Sequence, residues 1–354
     1  MEEPPPGVVV LYNRSERLVK GQARDLLAEQ GVIACARAVA EALQTAGYRV
    51  AQVPILTDVE LALAPYPPTE WVIFNLGEGL EGRLFEEARI IWALEAMGYR
   101  FTGSDGDATV LSINKVRGRR ALAAAGVPIP PGRIFRHPSE VTSEALVGLK
   151  FPLIVKPTAE HGSLGIETES VVYTLSQLRD RVAYVVECYR QAALAEAFIM
   201  GREFSVSMWG EPPEVLPPSE SDFSALADLY LPILSYSAKW EVYSFEYNHI
   251  LSRCPAPITP AFRAHLSTLA QRAWAAIGCR GYARIDMRMA SDGTVYVIEV
   301  NTNPDLSPDA GFAIAAQAAG YTYTQMIVRI LELALEPKDP YDREGARRRW
   351  SANS

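Results

Sequence analysis

The stretch from Gly281 to Pro308, GYARIDMRMASDGTVYVIEVNTNPDLSP, predicts two strands joined by a tight turn. Asp286 lies on the first strand, where polar and apolar side chains alternate. The run Ser291-Asp292-Gly293 is a turn signal, and Tyr296-Val-Ile-Glu-Val returns as the second strand. We therefore expect an antiparallel hairpin with carboxylates on both strands.

Pairing of this hairpin would bring Asp286, Glu299 and Asn301 close together. Glu299 and Asn301 are two residues apart, so they share one face of their strand. Two carboxylates, an amide and the neighbouring cation Arg284 suit a magnesium ion that also holds substrate phosphates. The alternative is an ordinary charged surface hairpin, but the apolar residues between the acids predict a half-buried one, in which facing carboxylates need a counter-ion.

The length and the net charge of the chain limit the classes of protein to which it can belong. A chain of 354 residues is too long for one ordinary core, so two or three domains are expected. The net charge of -8 offers no basic surface for nucleic acid or an anionic membrane. The N-terminus has no basic, apolar leader, and no long apolar run is present, which predicts a cytoplasmic protein. The four scattered cysteines predict buried thiols rather than a zinc site or a disulfide framework.

The N-terminal part alternates strands with helices, which predicts a parallel sheet with ligands at the carboxyl ends of its strands. The predicted strands are residues 7–11, 48–53 and 71–75. A glycine-rich run, residues 75–83, lies at such an end, and Glu78 within it is a candidate for contact with a substrate. The alternative is a simple turn before the next helix, residues 84–97.

The middle of the chain predicts a phosphate site. A proline-rich connector, residues 126–131, leads into a second domain. There, a strand ending at Lys156 is followed by a loop of small residues, 158–165, whose N–H groups could fold over phosphates while the lysine meets them as a point charge. This loop is not a P-loop, because the required spacing is absent. His161 within it could add a hydrogen bond, but we expect it to be an exposed loop residue.

The runs ARIDMR, VIEVNTNPDLSP and AAQAAGYTYTQMIVRILELAL resemble the C-terminal half of the D-alanine–D-alanine ligase branch of the ATP-grasp superfamily. The resemblance continues upstream through most of the chain. It implies an α/β (α+β) ATP-grasp fold of three domains, with a Rossmann-like parallel sheet first, a small central subdomain next and an antiparallel sheet last. The implied limits are 1–111 for the substrate domain, 112–204 for the central subdomain, 205–336 for the metal-binding domain and 337–354 for a charged tail.

The resemblance also implies a role for individual residues. It implies that lysines reach the phosphates of ATP and that two acids hold the adenine and the ribose; these residues are Lys115, Lys156, Lys239, Glu196 and Glu203. It implies magnesium, with manganese as the alternative, on the three hairpin residues named above. Around the reacting groups it implies Arg284, the loop serine Ser163 and an N-terminal acid. That acid is assigned to Glu29, with Glu16 as its rival.

Four departures from the family pattern concern the substrates. Gly77-Glu78 stands where the family has His-Gly, and Trp240 stands where dipeptide ligases have tyrosine and depsipeptide ligases have histidine. Asp305 and Ala310 replace a glycine and a serine near the carboxylate of the second substrate. A carboxylate at position 305 would repel an incoming carboxylate and attract an amine or hydroxyls. We therefore expect a second substrate other than a simple D-amino acid.

Three functions compete. The preferred one is an ATP-dependent carboxylate–amine ligase that forms an amide through an acyl phosphate and uses a pair of substrates other than two D-alanines. The second is a genuine D-alanine–D-alanine ligase of peptidoglycan synthesis. The third is a nucleotide-binding protein without turnover. The expected partners are small molecules, with no nucleic acid and no membrane, and the family likeness adds a possible homodimer.

Overall fold

A computed structural model of the chain describes residues 6–14, 19–80, 83–84, 86–226 and 230–336, with the backbone alone at residues 23, 27–30 and 83–84. The predicted charged tail, residues 337–354, lies outside the described residues. The strands are β1 (Gly7–Asn13), β2 (Val50–Ile55), β3 (Trp71–Leu76), β4 (Gly79–Leu80), β5 (Arg83–Leu84), β6 (Gly132–Phe135), β7 (Leu153–Pro157), β8 (Val171–Val172), β9 (Ala193–Ala197), β10 (Glu203–Trp209), β11 (Glu214–Val215), β12 (Ser219–Asp222), β13 (Leu251–Arg253), β14 (Tyr282–Met289) and β15 (Val295–Asn301).

Helices cover these sheets and connect their strands. They are α1 (Leu26–Thr45), α2 (Val59–Leu63), α3 (Glu87–Ala96), α4 (Gly106–Ile113), α5 (Lys115–Ala124), α6 (Leu175–Tyr189), α7 (Tyr236–Trp240), α8 (Phe245–His249), α9 (Pro260–Ile277), α10 (Gly311–Ala318) and α11 (Tyr323–Leu335). No helix in the described ranges is both long enough and apolar enough to cross a bilayer.

The N-terminal sheet is parallel, with the order β2–β1–β3. The strand β1 lies in the middle, and its residues from Val8 to Leu11 are completely buried. Such a continuous apolar run is typical of a parallel strand covered on both faces. One face packs on α1 and α11, and the other on α2 and α3. The carboxyl ends of β1 and β3 carry Asn13 and Asn75, both buried.

Two antiparallel sheets form the rest of the molecule. The smaller has the order β6–β9–β7–β8 and packs its apolar face on α6. The larger has the order β13–β12–β10–β14–β15, with β11 pairing to the end of β10, and packs on α9. Their other faces turn toward a shared cavity of about 250 Å³. Strand alternation explains this division, since successive side chains point to opposite faces of a sheet.

The segment 107–125 is divided where its composition favours one continuous helix. It is broken at Asn114, which ends α4 and begins α5. The Asn114 side chain accepts hydrogen bonds from the backbone N–H groups of Val116 and Arg117, which is the chemistry of a helix N-cap. The backbone N–H of Lys115 instead donates to the carbonyl of Thr158. The break therefore anchors the lysine against the loop that follows β7.

All four cysteines are free thiols. Cys35 and Cys279 are buried, whereas Cys188 and Cys254 are partly exposed. The prediction of buried thiols therefore holds for two of the four.

Candidate active site

The hairpin of β14 and β15 places the acids opposite one another. Asp286 pairs with Glu299 in the ladder, and Arg284 pairs with Asn301. A register shift between Asp286 and Met287 bends the hairpin at this point. Within the described residues, no three side chains of His, Cys, Asp or Glu are grouped so that they could hold a metal ion. The hairpin thus offers two carboxylates and an amide rather than a closed metal cage.

Asp286 is held by two donors from the same sheet. Arg284 donates from Nε and Nη2 to its two oxygens, each at 2.8 Å, and the Ser205 hydroxyl donates to Oδ1 at 2.7 Å. A bidentate guanidinium–carboxylate pair fixes both planes. Asp286 therefore points in a defined direction before any ligand arrives.

Glu299 is held by two residues from other elements. Lys115 Nζ lies 3.3 Å from its Oε1, and His161 Nδ1 lies 2.9 Å from the same atom. Burial alone would raise the pKa of Glu299, but the Lys115 charge and the His161 hydrogen bond hold that pKa well below its usual value. Glu299 is therefore an ionised carboxylate at neutral pH.

The position of His161 differs from its sequence-based expectation. Its side chain is only 17% exposed, because the loop after β7 folds over the hairpin and directs the ring at Glu299. Since an ionised carboxylate can only accept, the Nδ1 atom must carry the proton. The expectation of an exposed loop histidine was wrong, because a single sequence does not reveal which way such a loop closes.

The acids of β9 and β10 are each paired with a cation. Glu196 lies 2.8 Å from Lys156 Nζ and 2.5 Å from Arg119 Nη1. Glu203 lies 3.3 Å from Arg288 Nε, across the ladder of β10 and β14. Burial raises the pKa of Glu203, and the Arg288 charge opposes that rise. Both acids line the cavity between the two sheets, whose walls also carry apolar side chains.

Lys239 completes the set of lysines around the cavity. It lies in α7, in the long segment between β12 and β13, and its side chain lines the same cavity as Lys115 and Lys156. Burial and the charge of Arg284 lower the pKa of Lys239, while the hairpin carboxylates oppose the fall. The structure thus brings together the predicted phosphate lysines, although they come from three separate stretches of the chain.

The loop after β7 is joined to the segment that carries α7. Ser163 has a left-handed backbone (φ 63°), which is uncommon for a residue with a side chain. Its hydroxyl donates to the Leu234 carbonyl at 2.6 Å. The indole N–H of Trp240 donates to the Gly162 carbonyl at 2.8 Å. These two bonds hold the segment from Leu234 to Trp240, which we call the lid, closed over the loop.

Trp240 also meets the first helix. A Cβ atom built on Gly31 of α1 would lie 3.1 Å from the Trp240 ring, so the ring packs closely against this glycine. The lid is tied to the N-terminal part a second time, because the Tyr236 hydroxyl donates to the Arg24 carbonyl at 2.5 Å. The lid therefore touches both the N-terminal helix and the loop after β7.

The N-terminal acid cannot be placed from the described side chains. The backbone of Glu29 lies in α1, but its side chain lies outside the described residues, as does Glu16 altogether. A different acid, Asp25, is buried at the start of α1, where it accepts from Gln22 N at 2.9 Å and from the Tyr189 hydroxyl at 3.1 Å. Burial raises the pKa of Asp25. Sequence reasoning missed this acid, because its burial depends on the distant Tyr189.

Glu160 is a further buried acid that sequence reasoning missed. Its Oε1 lies 2.7 Å from Lys20 Nζ and accepts from Gln191 Nε2 at 2.5 Å. Burial raises the pKa of Glu160 to about 7, although Lys20 and Lys115 act against the rise. It lines the cavity beside His161. Nothing local distinguishes it from the other glutamates of the chain.

The predicted substrate residues at the other end of the site are less enclosed. Asp305 is exposed and accepts from the backbone N–H and the hydroxyl of Ser307, at 2.8 and 2.7 Å. The backbone N–H of Glu78 donates to Asn13 Oδ1 at 2.9 Å, which joins the loop after β3 to the end of β1. The Asn301 side chain accepts from the backbone N–H of Asn303 at 2.9 Å. Asn303 Oδ1 in turn lies 3.1 Å from the Tyr282 hydroxyl.

Residues 122–332 match the family model described as D-ala D-ala ligase C-terminus, which covers more than half of the chain. The chain belongs to the D-alanine–D-alanine ligase family. It is therefore an ATP-dependent ligase that forms a carbon–nitrogen bond, and the predicted enzyme class is confirmed.

Curated relatives in two organisms extend the match. The chain is 33% identical over 283 residues to the uncharacterized protein y4sG of Sinorhizobium fredii, which covers 79% of this chain and 80% of that one. It is 29% identical over 314 residues to the D-alanine–D-alanine ligase of Haemophilus influenzae, which covers 84% of this chain and 94% of that one. Both alignments reach far beyond the C-terminal half.

Solved structures agree on the fold. A D-alanine–D-alanine ligase from Bacillus anthracis in complex with ATP superposes with a TM-score of 0.71 at 18% identity and covers 92% of this chain and 97% of its own. The VanG D-Ala:D-Ser ligase from Enterococcus faecalis superposes with a TM-score of 0.68 at 17% identity and covers 93% and 100%. The predicted ATP-grasp fold of mixed α/β type is thereby confirmed.

Proposed function

We propose that this ligase activates a substrate carboxylate with ATP and joins it to an amine, and that its substrates are not two molecules of D-alanine. The carboxylate attacks the γ-phosphate of ATP and gives an acyl phosphate and ADP. The amine then attacks the acyl carbon, phosphate leaves, and the nitrogen loses a proton as the amide forms. The domain limits and residue roles expected from the sequence are part of this proposal.

The cavity between the two antiparallel sheets fits ATP. Apolar side chains such as Ile154, Phe198 and Ile233 could pack on the adenine, and the neighbouring Glu196 and Glu203 are acceptors suited to an amine and to ribose hydroxyls. Three lysines that line the same cavity would meet the phosphates as cations. An acidic protein can bind ATP when its cations are gathered in this way.

The hairpin residues fit magnesium. Asp286, Glu299 and Asn301 present hard oxygen ligands on facing strands, and magnesium commonly takes one or two carboxylates and completes its shell with phosphate oxygens and water. When bound, the metal would screen the charge of the phosphate oxygens. Lys115 contacts Glu299 and Arg284 contacts Asp286, so both carboxylates are already oriented and the protein would need little rearrangement to accept the metal.

The chain's own residues would perform the remaining work. The lysines and Arg284 would offset charge as it develops on the transferred phosphoryl group. Positioning of the two reactants supplies up to about 7–11 kcal/mol of the barrier reduction. Ser163 of the loop bonds to the lid, and Trp240 of the lid bonds to the loop. These bonds would keep water out of the active site, which matters because water hydrolyses an acyl phosphate.

The observation that carries the choice of substrate is the indole of Trp240. It packs on Gly31 of α1 and donates to the Gly162 carbonyl, so its N–H is already used within the protein. An indole has no acceptor and no proton that titrates near neutral pH, so it cannot take the part of the hydroxyl or imidazole expected at this position. Asp305 supports the same conclusion, since its carboxylate would repel the carboxylate of a second amino acid.

The first experiment is a measurement of ATP-dependent phosphate release with magnesium, using D- and L-amino acids singly and in pairs, with mass analysis of the products. We expect D-alanine alone to be inert and another carboxylate with an amine to drive both phosphate release and amide formation. Formation of D-alanyl-D-alanine from D-alanine alone would contradict the proposal and make the chain a genuine D-alanine–D-alanine ligase.

A further inference from the structure

Arg288 is a buried arginine in the wall of the nucleotide cavity. It follows Arg284 and Asp286 by alternation on β14, so all three side chains lie on the same face of the sheet. Only 5% of Arg288 is exposed, and it lines the cavity together with Glu203. A guanidinium so far from water is costly unless its surroundings compensate for lost hydration. Its contacts therefore call for a functional explanation.

Those contacts join two parts of the site. On one side, Arg288 Nε lies 3.3 Å from the carboxylate of Glu203. On the other, its Nη2 donates to the carbonyl of Pro232, and at 3.4 Å to the carbonyl of Gly201. The rings of Phe198 and Phe223 lie 5.1 and 5.8 Å from its guanidinium carbon, within cation–π distance.

Pro232 lies at the base of the lid. Two residues later, the Leu234 carbonyl accepts from Ser163, and the Tyr236 N–H donates to the Ile166 carbonyl. The chain then continues directly into α7, which carries Lys239 and Trp240. A side chain that holds the Pro232 carbonyl therefore influences where the lid lysine stands.

We propose that Arg288 is a positioning residue that couples binding of the nucleotide ribose at Glu203 to closure of the lid. This inference rests on the proposed function, in which Glu203 accepts from the ribose hydroxyls. A ribose bound to the Glu203 carboxylate would restrict the motion of the Arg288 guanidinium beside it. The Nη2 atom of the same guanidinium would then hold the Pro232 carbonyl in place. Because the fork is rigid, one side chain can serve both acceptors at once.

The chain contains a matched control in Arg202. It donates to Glu220 from Nε and Nη2 at 2.5 and 2.7 Å, lies 4.9 Å from the ring of Phe204, and donates to the carbonyl of Pro257 at 3.3 Å. This arrangement of a glutamate, a phenylalanine and a proline carbonyl parallels that of Arg288. Arg202 does not line the described cavity, however, and Pro257 lies outside the lid.

The test compares Arg288→Met, Arg288→Lys and Arg202→Met with the unchanged chain. Binding of the non-hydrolysable analogue AMP-PNP with magnesium is measured by calorimetry, and amide hydrogen exchange of residues 230–250 is followed with and without the analogue. In the unchanged chain the analogue should slow exchange in this segment. In Arg288→Met, affinity should fall about tenfold, because the buried Glu203 loses the cation that faces it, and the slowing should disappear at saturating analogue.

If Arg288→Met does not fold, the Arg288→Lys variant tests the inference instead. Its ammonium keeps a charge beside Glu203 but cannot reach the Glu203 carboxylate and the Pro232 carbonyl at once. The lid should therefore again lose its nucleotide-dependent protection from amide hydrogen exchange. Arg202→Met should match the unchanged chain in both measurements. Affinity and lid protection within twofold of the unchanged chain in the deciding Arg288 variant would overturn the inference. Failure of the unchanged chain to bind the analogue would instead overturn the proposed function, so the two failures are distinguishable.

Discussion

The two ends of the site differ in how their acids are held. In the nucleotide end, defined by the cavity between the two antiparallel sheets, each predicted ATP or metal acid has a cation as its partner; these pairs are Glu196 with Lys156, Glu203 with Arg288, Asp286 with Arg284 and Glu299 with Lys115. In the acceptor end, defined by the loop 302–310, Asp305 is exposed and bonds to Ser307. Among the described residues, no cation lies within ion-pair distance of Asp305.

This difference indicates that the nucleotide end is specific for one ligand, whereas the acceptor end can accept several. Buried acid–cation pairs are costly to rearrange, so they fix a geometry in advance. An exposed carboxylate held by a short turn can meet different partners at little cost. We therefore expect the nucleotide end to govern turnover with every substrate, and the acceptor end to govern the choice among substrates.

The largest expected effect comes from Glu299→Ala. Loss of a proposed metal ligand should lower kcat by at least about 1,000-fold with every acceptor, because charge stabilisation of the phosphoryl group is lost. Phosphate release under saturating ATP checks this. Glu332→Ala, an exposed acid on α11, is the control and should leave kcat unchanged. A Glu299→Ala variant that kept substantial turnover would remove the distinction between the two ends.

The next effect is a pH dependence of stability from Glu160. Its folded-state pKa of about 7 lies above the ordinary pKa of a glutamate, 4.5, so between these values the folded chain binds more protons than the unfolded chain. Stability should therefore fall as the pH rises through this window, by up to about 3 kcal/mol from this group. Glu160→Gln should remove that part of the pH dependence.

Urea unfolding at pH 5 and pH 8 gives the change in unfolding free energy between the two pH values, and this change is compared between the unchanged chain and Glu160→Gln. The unchanged chain should lose more stability between the two pH values than Glu160→Gln does, whatever the absolute stability of the variant. Glu140→Gln, an exposed acid, serves as the control for removing a charge. Equal losses in the unchanged chain and in Glu160→Gln would mean that Glu160 is ionised in both states.

A smaller and more selective effect is expected from Asp305→Ser. Removing this charge should change kcat/KM for the acceptor by about tenfold, downward for an amine without a carboxylate and upward for an amino acid, as for loss of one charge–charge contact. The KM for ATP should not move. Steady-state kinetics with both substrates varied make the comparison, and Asp309→Ser in the same loop is the control. A change in the KM for ATP of similar size would show that the two ends are not separate.

The smallest effect is expected from Trp240→Phe. The ring remains against Gly31, but the hydrogen bond to the Gly162 carbonyl is lost, which typically costs about 1 kcal/mol. We expect the ratio of phosphate released to amide formed to rise by about fivefold, because a looser lid admits water. Trp92→Phe, a half-exposed ring on α3, should leave that ratio at its starting value. An unchanged ratio in Trp240→Phe would mean that the lid is held without this bond.

Local chemistry explains what could be predicted. The hairpin was readable because alternation and a Ser-Asp-Gly turn are properties of adjacent residues. The break at Asn114 was missed because helix propensity continues smoothly through it, and the bond from the Lys115 N–H to the distant Thr158 carbonyl is not visible in the local sequence. His161 was misjudged for a related reason, since its partner Glu299 is 138 residues away.

The sequence by itself determined the hairpin and its acids, because strand periodicity and turn chemistry act over short distances along the chain, and its resemblance to a known ligase family supplied the fold class and most of the candidate residues. The tertiary structure decided which of those residues share a cavity, which acid meets which cation, and that Trp240 closes on Gly162 while Arg288 holds the base of the lid. The physical reason is that burial and pairing are set by elements far apart in sequence. The pKa of a carboxylate such as Glu160 or Glu299 depends on burial and on partners far away in the sequence, so the adjacent residues could not predict it.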